Sequence, residues 1–90
     1  MTKFRVLVSE TAVKQLLGLE KQIQARLKLG MKELADNPYL SRPRADIKKL
    51  RGSNNPELYR LRVGNFRIIY SVINNEVKVT EIIKRSAAYQ

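Results

Sequence analysis

Arg60, Arg62 and Arg67 are the residues of this sequence whose types and spacing are best suited to chemistry. The dipeptide Gly64-Asn65 lies between Arg62 and Arg67, and a glycine-first dipeptide between alternating apolar residues predicts a two-residue β-hairpin turn. With that turn, Arg62 lies directly opposite Arg67, and all three arginines share one face because side chains alternate across a strand. Each guanidinium offers a planar fork of N–H donors that matches phosphate oxygens. The pattern therefore indicates a site that binds a phosphate group.

The predicted pairing of Arg62 with Arg67 has two interpretations. Like charges directly opposite each other destabilise a sheet by a few tenths to about 1 kcal/mol, so folding alone does not favour the pair. In the first interpretation, the two side chains extend into water or are neutralised by a carboxylate such as Glu57 or Glu81. In the second, the arginines are held in place for an anionic ligand.

Further basic residues flank this hairpin. A nucleic-acid backbone could follow them, because lysine and arginine neutralise successive phosphates, although such a run is also common at a solvated edge. A tyrosine near the C-terminus is a candidate for stacking on a base, as in the recognition of single-stranded RNA. The residues concerned are Lys48, Lys49 and Arg51 before the hairpin, and Lys84, Arg85 and Tyr89 after it.

The composition limits the class of protein. The chain has 90 residues, with 18 Lys and Arg against 8 Asp and Glu, and a formal net charge of +10. This charge predicts a polyanion as a partner. There is no cysteine or histidine, which excludes disulfides, thiol nucleophiles, a histidine base and the usual zinc sites. No run reaches the ~20 apolar residues of a membrane span, and the start lacks a signal segment. We expect one cytoplasmic domain over residues 1–90, without a metal or other cofactor.

Hydrophobic periodicity predicts an α+β fold. Ser9 can cap a first helix that ends at Gly18, and Asn37-Pro38 should end a second helix. The expected architecture is an N-terminal strand and an antiparallel pair of helices packed on one face of a small, twisted, mainly antiparallel sheet. The element order is β-α-α-β-β-β, and the other sheet face is free to meet a ligand. The strands are expected at residues 3–8, 57–63, 66–73 and 76–84, with a short edge strand at 47–50, and the helices at 10–18 and 20–36.

Two segments carry a resemblance to a known family. Lys49-Leu50-Arg51-Gly52, followed by the stretch Leu58–Tyr70, resembles the "KL-G … LYR-R-GDYR-IY" signature of the RelE/ParE superfamily of type II toxins. The opening strand with two helices and the ending Lys84-Arg85 with Tyr89 also fit, so the resemblance covers essentially the whole chain. It implies a RelE-like fold and a protein partner, a cognate RelB-like antitoxin that covers the basic face.

For the RelE branch, the resemblance implies a metal-independent mRNA interferase that cleaves mRNA in the ribosomal A site and inhibits translation. The ribose 2′-hydroxyl attacks the adjacent phosphate and leaves a cyclic phosphate, and guanidinium groups can stabilise the charge of the transition state. On the matching positions, Arg67 takes that role with help from Arg60 and Arg62. Arg85 protonates or stabilises the leaving 5′-oxygen, and Tyr89 orients the base.

The general base of such a reaction stays open. Well-studied bacterial members have lysine where this chain has Arg60 and Arg62, and arginine, with a pKa above about 12, is a poor base. Lys49 or Lys84 could act as the base if burial or a neighbouring charge lowered its pKa. Otherwise the ribosome supplies positioning and the toxin acts mainly through electrostatics.

Two other functions compete with the ribonuclease. The first is a ParE-like toxin that inhibits DNA gyrase by binding it, although such relatives generally lack the clustered basic site. The second is a non-catalytic module that binds RNA or protein. This alternative stays open because the sequence identifies no general base.

Overall fold

The structure is a computed structural model that describes residues 3–84. Two helices and five strands follow one another as the periodicity predicts, and the α+β class is confirmed. Among the described residues, no helix is long and apolar enough to cross a membrane. The bounds are β1 Arg5–Val8, α1 Glu10–Leu17, α2 Lys21–Asp36, β2 Asp46–Lys49, β3 Tyr59–Val63, β4 Phe66–Ile73 and β5 Glu76–Lys84.

All five strands form one sheet in the order β1-β5-β4-β3-β2. The pairs β2–β3, β3–β4 and β4–β5 are antiparallel, whereas β1 runs parallel to β5. The sheet is therefore mainly antiparallel, as predicted, with one parallel pair at its edge. The predicted edge strand is β2, and it begins one residue earlier than expected, at Asp46.

The Ser9 cap of α1 and the end of α2 before Pro38 are as predicted, whereas α2 begins at Lys21, one residue later than expected. The Ser9 hydroxyl accepts a hydrogen bond from the Ala12 N–H at 3.0 Å and donates one to the Thr80 carbonyl of β5 at 2.7 Å. One side chain thus caps α1 and ties it to the sheet. The second helix ends at Asp36, because the residue before a proline is disfavoured in helical conformation.

Both helices pack on the same face of the sheet, and the hydrophobic core lies between the two layers. α1 lies against β5, and α2 lies against β1 and β3. Gly30 permits a close approach, because a Cβ there would lie 3.0 Å from side-chain atoms of Leu61 and Val63. The buried core includes Ala12, Leu16, Leu27, Met31, Leu34, Leu61, Phe66, Ile68, Tyr70, Val77, Val79 and Ile82.

Tight turns set the register of the three C-terminal strands. Of the two residues between β3 and β4, only Gly64 has a positive φ, at 57°, as a type II′ turn requires. Between β4 and β5, Asn74 and Asn75 both have positive φ, at 50° and 64°. Asparagine tolerates this conformation better than most residues, so both turn predictions are confirmed.

Arg42 anchors the loop that follows α2 through hydrogen bonds to the helix and to the loop itself. Its Nη2 donates to the main-chain carbonyl of Glu33 at 2.8 Å and to the carboxylate of the same residue at 3.0 Å. Its Nη1 donates to the carbonyls of Asn37 and Leu40 at 3.0 and 2.6 Å. Only 19% of the Arg42 side chain is exposed. This guanidinium therefore joins the last turn of α2 to the carbonyls of the loop that follows it.

We expect Arg42→Ala to lower the free energy of unfolding by about 2 kcal/mol, because hydrogen bonds to a charged group are worth about 1.5–3 kcal/mol each and some carbonyls would regain water. The matched control is Arg44→Ala, which removes the same charge from an exposed position two residues away. That control should change stability by less than about 0.5 kcal/mol. Urea unfolding of both variants measures the difference, and equal losses would contradict the role given to Arg42.

Candidate functional site

The three arginines predicted to share a sheet face do so in the structure. Arg62 pairs with Arg67, and Val63 pairs with Phe66, in the register expected from the turn. Because Phe66 belongs to the core, the arginines point to the face that the helices leave uncovered. We call this surface the arginine face and define it by Arg60, Arg62 and Arg67.

The neighbouring strands add charged residues to the arginine face. Lys48 of β2 lies opposite Arg60, and Asp46 lies opposite Arg62. The Arg60 Nη1 donates to the main-chain carbonyl of Asp46 at 3.2 Å and approaches its carboxylate at 3.4 Å. This contact holds Arg60 against the sheet, where only 14% of its side chain is exposed. Arg62 is exposed and Arg67 is half-buried.

Of the two carboxylates that the sequence interpretation named, Glu81 lies on the arginine face by its register with β4, and a third, Asp46, contacts Arg60 there. Glu57 instead forms an ion pair with Lys49. Glu81 lies opposite Ile69 of β4. Asp46 was missed because the edge strand was expected to begin at residue 47. Extending the alternation of Ile47 and Lys48 back by one residue would have placed Asp46 on this face.

Lys49 does not have the electrostatics of a general base. The hydrogen bond and the charge of Glu57 raise the pKa of Lys49, whereas a base that acts near neutral pH needs a lowered one. Lys49 lies opposite Tyr59, and therefore on the face away from the three arginines. The condition under which Lys49 could replace the missing base, a lowered pKa, is therefore not met.

The other predicted site residues fall in three places. Lys48 and Arg51 are exposed, on β2 and in the turn after it. Lys84 lies opposite Phe66, so its register position is on the helix-covered face and not beside the arginines. Arg85 and Tyr89 lie outside the described residues. Over residues 3–84, no group of three or more acidic side chains could hold a metal ion.

The fold and this arrangement of charge can be compared with known proteins. A family model described as the ParE toxin of the parDE type II toxin-antitoxin system matches residues 6–89. The chain belongs to the RelE/ParE superfamily of type II toxins. Among curated relatives, Toxin RelE3 of Methanocaldococcus jannaschii is 34% identical over 94% of both chains. The putative toxin RelE1 of that organism is 32% identical over 98% of this chain and 97% of its own length. The toxin is therefore of RelE type.

Solved structures share the fold. The archaeal RelE-RelB complex of Pyrococcus horikoshii has a chain that matches with a TM-score of 0.81 and 32% identity, covering 96% of this chain and 99% of that one. The RelB-RelE complex of Methanococcus jannaschii matches with a TM-score of 0.73 and 32% identity, covering 93% and 95%. The Escherichia coli RelBE complex, at 23% identity and a TM-score of 0.71, has the same fold.

We expect Asp46→Asn to raise the affinity of the toxin for single-stranded RNA by up to about fivefold. The substitution removes the carboxylate that competes for Arg60, and an ion pair whose carboxylate is exposed to water is worth up to about 1 kcal/mol. Fluorescence anisotropy at low salt measures the affinity. Asp36→Asn is the matched control, because Asp36 is exposed at the end of α2, a helix on the other side of the sheet. The same gain in both variants would mean that only net charge matters.

Proposed function

We propose that this toxin is a ribosome-dependent mRNA endonuclease that cleaves mRNA in the ribosomal A site. The observation that carries the proposal is the cross-strand pair Arg62–Arg67, with Arg60 beside it, on a sheet face that the helices leave open. A pair of like charges costs stability, and a phosphate that binds between them offsets the cost. The relatives above 30% identity are RelE toxins, which supports the same reaction. Such a toxin acts in the cytoplasm, where ribosomes are.

In the proposed reaction, the 2′-hydroxyl of a ribose attacks the adjacent phosphorus and loses its proton to water, the bond to the 5′-oxygen breaks and that oxygen takes up a proton, and a 2′,3′-cyclic phosphate forms. Arg67 stabilises the negative charge that grows on the phosphate oxygens, because a half-buried guanidinium loses little freedom when it binds. Arg60 and Arg62 bind the same phosphate or its neighbours. Arg85 gives a proton to, or stabilises, the leaving oxygen, and Tyr89 stacks on a base.

The proposal assigns no lysine as general base. Arginine is a poor base, and Lys49 is held in its ion pair with Glu57. The rate then depends on holding the 2′-hydroxyl in line with the phosphate and on stabilising charge. The ribosome supplies the first of these and the arginine face the second, without a metal ion.

We also infer that a RelB-like antitoxin binds this chain, as RelB accompanies RelE in the Pyrococcus and Methanococcus complexes. A groove between α2 and β3, which we call the α2 groove, suits an acidic amphipathic segment. Leu29 lines the groove and is 62% exposed. The groove therefore offers an apolar surface together with a basic rim. Its lining consists of Arg26, Leu29, Gly30, Lys32, Glu33, Arg44, Arg62 and Val63.

The decisive test adds the purified toxin to a translation reaction and maps mRNA 5′ ends by primer extension. Wild-type toxin should produce cuts in register with codons. Arg67→Ala should lower the rate of cutting by about 100-fold or more, as expected for loss of a charge-stabilising donor. Lys49→Met should lower the rate far less than Arg67→Ala does, because Lys49 is not assigned as the base.

Arg5→Ala is the control for loss of a charge, because Arg5 is exposed on β1 at the far edge of the sheet. Intact mRNA together with inhibited supercoiling by gyrase would instead support the ParE-like function, which the description of the matching family model favours. Intact mRNA with active gyrase would leave a non-catalytic binding module.

The α2 groove has its own test, the affinity for a RelB-type antitoxin measured by calorimetry. Leu29→Asp should weaken binding about 10-fold or more, because burial of a leucine is worth about 1.5–3 kcal/mol. Leu17→Asp is matched in chemistry and exposure, since Leu17 is 66% exposed on α1, and it should bind nearly as tightly as the wild type. Equal losses would exclude the groove as the specific docking surface.

A further inference from the structure

A second polar and aromatic cavity lies at the end of β3 opposite to the β3–β4 turn. It has a volume of about 790 Å³, which is within the range of small-molecule sites. The arginine face contributes none of its lining residues. We call it the tyrosine cleft, and it is lined by Tyr39, Asn54, Asn55, Pro56, Glu57, Tyr59, Val72 and Ile73.

The aromatic wall of the tyrosine cleft is built from interlocked rings. The ring of Tyr39 meets the rings of Phe4 and Tyr59 edge to face, with centroids 6.0 and 5.7 Å apart. Tyr59 in turn stacks on Tyr70 at 5.6 Å, and the Tyr70 hydroxyl donates a hydrogen bond to the carbonyl of Pro38 at 2.7 Å. The rings therefore form a rigid surface before any ligand arrives, which lowers the entropy cost of binding.

Tyr39 is too exposed to be explained by packing alone. Although two rings contact it, 53% of its surface is accessible. Its backbone is nevertheless held, because the Asn37 Oδ1 accepts hydrogen bonds from the N–H groups of Tyr39 and Leu40 at 2.9 and 3.0 Å. A fixed aromatic ring with an open face is what base stacking uses.

The opposite wall of the tyrosine cleft is polar. Asn54 and Asn55 are exposed, and an amide can both donate to and accept from the edge of a nucleobase. Glu57 adds a carboxylate acceptor for an amino group. Burial and the charge of Glu57 raise the pKa of the Tyr59 hydroxyl, so at neutral pH that hydroxyl stays protonated. A planar heterocycle with hydrogen-bonding edges matches this combination of walls.

Basic residues connect the tyrosine cleft with the arginine face. A neighbouring depression is lined by Lys49 and Arg51 and shares Asn54 with the cleft. Lys48, opposite Arg60, continues the basic surface toward Arg62. Tyr59 and Arg62 lie on opposite faces of β3, so an RNA strand that reaches both must pass around the edge strand β2, where the neighbouring residues Lys48 and Lys49 belong to opposite faces.

We propose that the tyrosine cleft binds one unpaired nucleobase of an RNA strand, whose backbone crosses the basic surface between Arg62 and Arg51. The inference rests on the proposed function in one respect, namely that RNA is the ligand of the arginine face. An aromatic side chain of a protein partner would also fit the rings. The amide and carboxylate wall and the adjoining cations favour a nucleotide, which carries both a hydrogen-bonding edge and a phosphate.

The test uses fluorescence anisotropy to measure the binding of a fluorescein-labelled RNA of eight nucleotides. The RNA carries 2′-O-methyl groups, so that it lacks the attacking hydroxyl and is not cleaved. One oligonucleotide is complete, and eight others each have a single abasic position. The wild type should lose about fivefold or more in affinity at one abasic position, as expected when a stacked base is removed. Tyr39→Ala should lose a similar factor on the complete oligonucleotide and show no further loss at that position. Tyr39→Phe, which retains the ring, should bind within about twofold of the wild type.

Leu40→Ala is the matched control, because Leu40 is exposed next to Tyr39 but does not line the cleft. Asn54 lies in an exposed loop, so Asn54→Ala tests the site without altering an aromatic ring. In this variant, the RNA affinity should depend less on which base occupies the sensitive position. Arg62→Ala should instead weaken binding of every oligonucleotide by a similar factor and make it less sensitive to salt.

The inference is overturned if no abasic position weakens wild-type binding, or if Tyr39→Ala retains the sensitivity to the same position. It is also overturned if Tyr39→Ala leaves RNA affinity unchanged and weakens only the binding of a RelB-type antitoxin. Failure of the proposed nuclease is a separate result, since mRNA would then stay intact in the translation reaction while the abasic dependence persists.

Discussion

The structure depends on the burial of one face of its sheet and not the other. The two helices cover a single face, so the alternating side chains of β3 divide between the core and the open face, and a slip of one residue would bury Arg60 and Arg62. This constraint fixes the register of β3 and β4 through Leu61, Phe66 and Ile68. The apolar pairs on the covered face thereby hold Arg62 and Arg67 together on the open one. Packing on one side of the sheet supplies the free energy that offsets repulsion on the other.

The strand β3 contributes residues to the core and to all three surfaces described above. Its first residue, Tyr59, lines the tyrosine cleft, and its last, Val63, lines the α2 groove. Between them, Leu61 is fully buried, while Arg60 and Arg62 belong to the arginine face. Arg62 also lines the α2 groove. A single side chain is therefore common to the surface proposed for RNA and the surface proposed for an antitoxin, so a partner bound in the groove competes for a cation of the proposed site.

Local patterns predicted most of this fold because its signals are local. Alternation, the Ser9 cap and the Gly64-Asn65 turn each depend on neighbours within a few residues, and all are confirmed. The turn alone was enough to predict the Arg62–Arg67 pair. Three features depend on distant contacts and could not be read in this way. The partner of Arg60 is set by the pairing of β3 with β2. The sheet face on which Lys84 lies is set by the register of β5 with β4. The tyrosine cleft brings together segments around residues 39, 55 and 72.

The parallel pairing of β1 with β5 has a consequence for how the protein is made. Arg5 of β1 pairs with Glu76 of β5, 71 residues later in the chain, so the sheet cannot close until almost all of this sequence has left the ribosome. Contacts this distant in sequence slow folding, because a large loop must be ordered before they form. A nascent chain emerges at about 5–20 residues per second, so β1 waits for several seconds without its partner strand. The toxin therefore acquires its complete sheet only after β5 has emerged from the ribosome, which leaves an interval in which a partner can meet a chain whose sheet is still open.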